Sequence, residues 1–208
     1  WISGFTGSAG AAIITHDNAI LFVDGRYTLQ ASQQADPLHW EVDSLIDNPP
    51  SKWLRKSAHP NWVIGFDPWV HNHNEVLALE ASTHTAGASL KLLKTNPIDG
   101  IWTEQPDPPH AKVVIHPLEF SGANTTEKLE TMTAALKVHD ADFCVLTDPS
   151  SICWLFNIRG ADVVHNPVVI AQAILRSDAL PMLFIDKKKL GIETHAFLNQ
   201  VSFLFEPK

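Results

Sequence analysis

The stretch Trp1–Ala31, WISGFTGSAGAAIITHDNAILFVDGRYTLQA, decides how the rest of the chain is read. Gly4, Gly7 and Gly10 open it at intervals of three. Two apolar runs follow, Ala11–Thr15 and Ala19–Val23, separated by the turn-forming His16-Asp17-Asn18. Apolar runs joined by a short polar turn predict an antiparallel hairpin. Asp24-Gly25-Arg26-Tyr27 closes the second run, and Tyr27, Leu29 and Ala31 with Gln30, Gln33 and Gln34 predict a helix to about Ala35. Arg26 therefore falls where strand hands over to helix, a place from which charged groups face ligands in α/β folds.

Outward from this hairpin the pattern stays mixed. Alternation over Trp40–Leu45 predicts a strand, and Pro49 and Pro50 ahead of Trp53, Leu54 and Ala58 predict a helix with proline in its first turn. A strand over Asn61–Phe66, a helix ending before Gly87 and a strand over Ser89–Leu93 complete an α/β layer pattern. From Asn96 to Gly122 five prolines interrupt the chain, and only Val113–Ile115 looks ordered on its own account. Order resumes with an amphipathic helix over Thr126–Val138, a strand at Phe143–Leu146 and a helix opened by Asp148-Pro149. Apolar runs at Val168–Leu175 and Pro181–Ile185, a helix near Glu193–Asn199 and a strand at Val201–Phe205 follow. Lys187-Lys188-Lys189 reads as a solvated turn.

The expected organisation is a first domain over residues 1–103, a proline-rich linker over 104–123 and a second domain over 124–208. The second domain echoes the first. Trp1–Asp24 reads W-x-x-G, a β run, a polar break and L-F-V-D; Trp154–Asp186 reads W-L-F-N-I-R-G, a β run, a polar break and L-F-I-D. This order predicts two α/β domains, Trp1 to about Trp102 and about Lys112 to Lys208, that superpose on one another.

Composition excludes some classes of partner. A net charge of −8 argues against a nucleic-acid backbone or an anionic membrane surface, and no apolar run approaches the ~20 residues of a membrane span. Cys144 and Cys153 suit free thiols in a reducing, cytoplasmic compartment. The chain opens without Met and inside a motif, so its true N-terminus is expected to lie upstream.

Candidate chemistry is sparse. Phosphate-cradling glycines stand at a helix N-terminus, whereas a strand is expected after Gly10, so the three glycines read as tight backbone packing. His71-Asn72-His73 has a ligand-like spacing with no carboxylate or cysteine to complete a set, and no metal is expected in this chain. Ser3 and Ser8 lack a nucleophile-elbow pattern, and Cys153 sits among apolar neighbours where a thiol packs. The dense polar stretch Asn157–Pro167, with Arg159, Asp162, His165 and Asn166, reads either as a self-bonded loop or as one that holds a ligand. Arg26 either pairs with Asp24 or offers its fork of donors to a ligand.

GFTGSAGAAIIT with LFVDGRYTLQA, then IWTEQPDPP, then WLFNIRGADVVHNPVVIAQAIL with MLFID, resemble the three-domain Xaa-Pro aminopeptidases. The resemblance covers nearly the whole chain in the family's order. It implies two tandem creatinase-like α/β domains, each a mixed sheet flanked by helices, ahead of a pita-bread catalytic domain that has no counterpart here. It also implies that a helix and first strand of the first domain precede Trp1 in the family. Two divalent metal ions, usually Mn²⁺, belong to the catalytic domain. The implied activity is removal of the N-terminal residue from peptides with proline in second place, by a protein that dimerises. This segment would be inactive alone, shaping the cleft and limiting peptide length. The alternative is a peptide-binding module of a catalytically inactive pita-bread protein. By the same resemblance Arg26 approaches the active site from the first domain, and Trp154, Arg159, His165 and Asn166 edge the substrate cleft from the second.

Overall fold

In the computed structural model of the chain, which describes residues 1–207, β1 (Gly10–Ile14) and β2 (Ala19–Val23) form the antiparallel hairpin expected from the opening stretch. α1 (Thr28–Gln34) then carries the chain to β3 (Glu41–Ser44), which lies parallel to β2. A parallel neighbour needs a crossover, and α1 supplies it. Leu21 and Val23 meet Ala31 and Ala35 on one side of β2, with Phe5, Tyr27 and Trp40 around them. Ile20 and Phe22 point to the opposite side and are buried too, so β2 is covered on both faces.

The first compact unit, Trp1–Gln105, continues through α2 (Pro50–Ser57), β4 (Val63–Phe66), α3 (His73–Thr85) and β5 (Ser89–Leu92). β4 and β5 pair in parallel across α3. α3 begins with a capping box: Asn72 accepts from the Glu75 amide at 3.0 Å, and Glu75 accepts from the Asn72 amide at 3.0 Å. The helix hands over to the strand through Gly87, whose φ of +73° suits glycine best. Leu54 of α2 is buried, and α2 lies against β1.

The second unit, Pro106–Lys208, is built from β6 (Val114–Ile115), α4 (Leu118–Ser121), α5 (Thr125–Val138), β7 (Phe143–Leu146), α6 (Pro149–Leu155), β8 (Ile158–Arg159), β9 (Gln172–Arg176), β10 (Met182–Phe184), α7 (Ile192–Val201) and β11 (Phe203–Phe205). Its main sheet runs β11-β10-β9-β7, with β10 and β11 parallel and the other pairs antiparallel. Ala173, Leu175, Leu183 and Ile185 point from this sheet into one core with Leu136 of α5, Ile152 and Cys153 of α6, and Leu198 of α7. Asp148 caps α6 as its sequence indicates, accepting from the Ser151 amide at 2.7 Å with Pro149 in the first turn.

Three readings of the sequence need correction. Lys189 is not on a solvated turn: its ammonium lies 2.8 Å from Asp162 Oδ2, and the two side chains are 6% and 1% exposed. The polar stretch after Asn157 is not all loop, because Ile158 and Arg159 pair as β8 with β6 inside the proline-rich region. The two units share hairpin, helix and parallel strand (β1-β2-α1-β3 and β9-β10-α7-β11) and do not match over their whole described length: among the described residues β7 flanks the hairpin of the second, and α2, β4, α3 and β5 follow in the first.

Candidate functional site

Arg26 sits one turn ahead of α1, held by the aspartate that ends β2. The Asp24 carboxylate accepts from the Arg26 amide at 2.9 Å, from Nε at 3.1 Å and from one terminal guanidinium nitrogen. This pairing is the main cause holding the Asp24 carboxyl below its ordinary range. The guanidinium carbon also stands 5.2 Å from the centre of the Tyr27 ring. The Arg26 side chain remains 71% exposed, so the pairing orients the fork and leaves it open to solvent. Next to it Ser8 Oγ and Tyr27 Oη share a hydrogen bond of 2.6 Å, tying the glycine-rich loop to the start of α1.

In the second unit Trp154 lies in the last turn of α6, and Arg159, His165 and Asn166 lie on the segment between α6 and β9. Trp154 is half-exposed and walls an apolar groove of about 370 Å³ with Met132, Leu146, Ser150, Ser151 and Leu155. The Lys128 ammonium lies 4.6 Å from the centre of the Trp154 ring and donates to Trp154 O at 2.8 Å and Asn157 Oδ1 at 2.6 Å. Burial, reinforced by the nearby Arg159 charge, lowers the affinity of that amine for its proton. Arg159 turns inward: one guanidinium nitrogen donates to Cys153 O at 3.0 Å and Ile158 O at 2.8 Å. His165 is exposed with φ at +62°, and the Asn166 amide donates to Val163 O at 3.1 Å. The loop therefore bonds to itself while presenting His165 and Asn166 outward. Arg159 reaches the backbone beside Trp154, whereas Arg26 belongs to the other unit.

Sequence reasoning passed over Lys128 and the Asp162–Lys189 pair. Lys128 had a signal, since it stands four residues before Met132 and eight before Leu136, on the apolar stripe of its helix. A charged residue on such a stripe asks for a buried partner. No comparable pattern marks Lys189.

Burial pushes the Cys153 thiol up, and the Val169 amide donates to its sulfur at 3.2 Å, so it is a packing group and not a nucleophile. Among the described residues no three His, Cys, Asp or Glu side chains gather to hold a metal ion. Among them, too, no helix is long and apolar enough to cross a membrane.

Residues 1–98 match the family described as Creatinase/Prolidase N-terminal domain, and residues 104–207 match a second family of the same description. A probable Xaa-Pro aminopeptidase P of Ajellomyces dermatitidis is 37% identical over 206 residues, covering 97% of this chain and 33% of its own length. Aminopeptidase P1 of Arabidopsis thaliana is 36% identical over 200 residues, covering 96% of this chain and 31% of its own. The crystal structure of the X-prolyl aminopeptidase of Caenorhabditis elegans, described as a cytosolic enzyme with a di-nuclear active site, superposes with a TM-score of 0.91 at 28% identity. That match covers 99% of this chain and 34% of the worm enzyme. The chain spans about a third of the length of the relatives it matches.

Proposed function

Because the chain belongs to the creatinase/prolidase N-terminal domain family in both of its units, we propose that it is the non-catalytic N-terminal region of a cytoplasmic Xaa-Pro aminopeptidase. The observation that carries this reading is the match of 99% of the chain to one third of an X-prolyl aminopeptidase, both units included. In this reading residues 1–103 and 124–208 are the two domains and 104–123 the linker. A separate catalytic domain supplies the hydrolysis. The parent enzyme removes the N-terminal residue ahead of proline, as a homodimer using two divalent ions, Mn²⁺ by preference. Among the described residues no side chains gather as metal ligands, and the two ions belong in this reading to the separate catalytic domain.

What this chain contributes is shape and orientation. Arg26 offers an oriented, exposed guanidinium suited to a peptide carboxylate or carbonyl. Trp154, Arg159, His165 and Asn166 form the second unit's edge of the cleft. Arg159 acts by fixing the backbone under Trp154, while His165 and Asn166 present polar groups outward. The test is made on the full-length protein and on the 208-residue chain with Xaa-Pro peptides. Cleavage by the first and none by the second is expected. A full-length protein that binds such peptides without cutting them would move the assignment to an inactive peptide-binding module. Arg26→Ala in the full-length enzyme should lower kcat/KM roughly 10–100-fold, the loss of one charge-assisted contact in the transition state. Its melting temperature should barely change, since the Arg26 side chain is 71% exposed. An unchanged kcat/KM with a lowered melting temperature assigns Arg26 to its own turn alone.

A further inference from the structure

α5 carries a positive charge on its buried face. Lys128 stands on the stripe that Met132 and Leu136 continue into the core, and only 4% of it is exposed. Among the described residues no carboxylate pairs with its ammonium. A methionine or leucine would continue the stripe without taking a charge out of water, and exchanging buried ions for apolar groups of similar volume is often neutral or stabilising. The packing of α5 therefore does not account for the amine.

The groups it touches do. The ammonium donates to Trp154 O at 2.8 Å and lies 4.6 Å from the centre of the Trp154 ring, so one amine holds this residue by backbone and by side chain. It also donates to Asn157 Oδ1 at 2.6 Å, in the turn that leaves α6. Asn157 gives its side-chain amide to Ala123 O at 2.9 Å, just ahead of α5, and its carbonyl accepts the His116 amide at 2.7 Å, beside β6. The turn beneath Trp154 is thus fastened from two sides. Arg159 grips Cys153 O and Ile158 O, which are backbone groups only. The ring is met by Lys128. Attraction of a cation to the face of an indole, strengthened when the cation is desolvated, fixes the plane of the ring and not merely its distance.

We propose that Lys128 is a positioning residue of the substrate cleft, setting the plane of the Trp154 ring for a bound peptide. The inference rests on the reading of Trp154 as part of the cleft edge. Lys128 is buried behind the ring and acts on the peptide only through the indole. Its effect falls on how tightly the peptide is held and not on bond cleavage, which in that reading belongs to a separate domain.

The test compares Lys128→Met, Trp154→Ala and the two combined, in the full-length protein, on a pentapeptide with proline in second place. Methionine matches lysine in helix preference and removes the charge and the donors. Lys128→Met should raise KM about three- to tenfold and leave kcat within about twofold of wild type. A purely structural role would lower the amount of active protein, and with it the apparent kcat, while KM stayed where it was. In the Trp154→Ala background the same substitution should change KM less than about twofold, because the ring it orients is gone. An unchanged KM in Lys128→Met beside a raised one in Trp154→Ala overturns the inference and leaves the cleft reading standing. Equal effects of Lys128→Met with and without Trp154 also overturn it, since the lysine then acts by another route. A wild-type KM in Trp154→Ala removes Trp154 from the cleft and takes the inference with it. Where Lys128→Met does not fold, Lys128→Gln, uncharged but with one amide donor retained, enters the same cycle. Where the full-length protein binds the peptide without cutting it, the aminopeptidase reading fails, and the peptide Kd replaces KM in every comparison and still decides the role of Lys128.

Discussion

Three residues after the aspartate that ends the central hairpin, the first unit has Tyr27 and the second has Lys189. Tyr27 meets Ser8, just after Gly7; Lys189 meets Asp162, two places after Gly160. Each tie fastens the start of the post-hairpin segment to the loop that precedes the hairpin. The aspartates repeat as well. Asp24 accepts from the amide two residues on at 2.9 Å, and Asp186 accepts from the Lys188 amide at 2.9 Å. The backbone plan thus fixes where a tie is needed and leaves its chemistry open. In the first unit the tie is a neutral hydrogen bond near solvent. In the second it is an ion pair inside the protein, where desolvation makes an unmatched charge far more costly.

This difference sets the largest expected effect. Lys189→Ala leaves Asp162 buried with only the Ile170 amide donating to Oδ2, its Oδ1 having no partner among the described residues. A loss of about 3–5 kcal/mol in urea unfolding is expected for breaking such a pair. Replacing both members at once, Lys189→Met with Asp162→Leu, should recover most of it. A loss below about 1 kcal/mol for the single variant would place the pair in the class of exposed salt bridges and remove the contrast.

The matched phenylalanines come next. Phe22→Ala should cost about 3–5 kcal/mol, as for a fully buried aromatic. Phe184→Ala in the 208-residue chain should cost roughly half as much or less, because one side of the ring already faces water. Equal losses would contradict the one-sided burial of the second sheet.

How much of this was legible follows from what each signal depends on. The hairpin, the crossover helices and the proline-capped starts of α2 and α6 rest on local periodicity and turn chemistry, and these are written in neighbouring residues. The repeat was legible too, but its alignment was not. Matching glycine with glycine put Gly4 opposite Gly160, whereas the structure puts Asn157 in the role of Gly4. Both follow a tryptophan by three residues, both donate an amide back to its carbonyl (Gly4 to Trp1 at 3.1 Å, Asn157 to Trp154 at 3.4 Å), and both have positive φ, +73° and +49°. Gly7 then answers to Gly160. A side chain at either would run into Phe5 or Val169, the close packing expected of the glycine-rich loop. Asparagine is one of the few residues that visit the left-handed conformation, and here Lys128 and Ala123 O hold its side chain, which an identity count does not register. The polar ties were illegible for another reason. Lys189 finds Asp162 across 27 residues, and no local pattern encodes that meeting. Among the candidate cleft residues, Arg26 and the polar Arg159, His165 and Asn166 stand out by position in the sequence itself, whereas Trp154 is singled out by resemblance alone.

The glycine–asparagine exchange gives a smaller effect that sharpens the comparison. Gly4→Ala should cost about 1–2 kcal/mol, the penalty of a β-carbon in the left-handed region. Its β-carbon would also meet Gln34 O at 3.3 Å. Gly4→Asn should cost measurably less, because the second unit holds the same turn with asparagine. If thermal unfolding finds the two variants equally damaged, the equivalence of the two turns fails.

The smallest effect appears only in alkali and belongs to one unit. Both cysteines lie in the second unit, and Cys153 is its buried thiol, with Cys144 only half-buried. Burial raises the proton affinity of Cys153 in the folded state, opposed in part by the Val169 amide that donates to its sulfur. The unfolded thiol loses its proton near pH 8.5, and the folded one only at higher pH. Between those points the unfolded state binds fewer protons than the folded state, so stability falls as pH rises. The contribution is therefore whole below the ordinary thiol value and is lost as pH climbs through the folded one. Every other ionisable group, Cys144 included, is shared by both proteins, so the quantity to follow is the difference in urea midpoint between the wild type and Cys153→Ala. That difference should be constant from pH 6 to about 8 and should shift against the wild type above the ordinary thiol pKa. A thiol reagent applied at neutral pH should reach Cys144 well before Cys153. A midpoint difference that stays level up to pH 10, or Cys153 reacting first, would show that the sulfur is not held in the apolar core between α6 and β9.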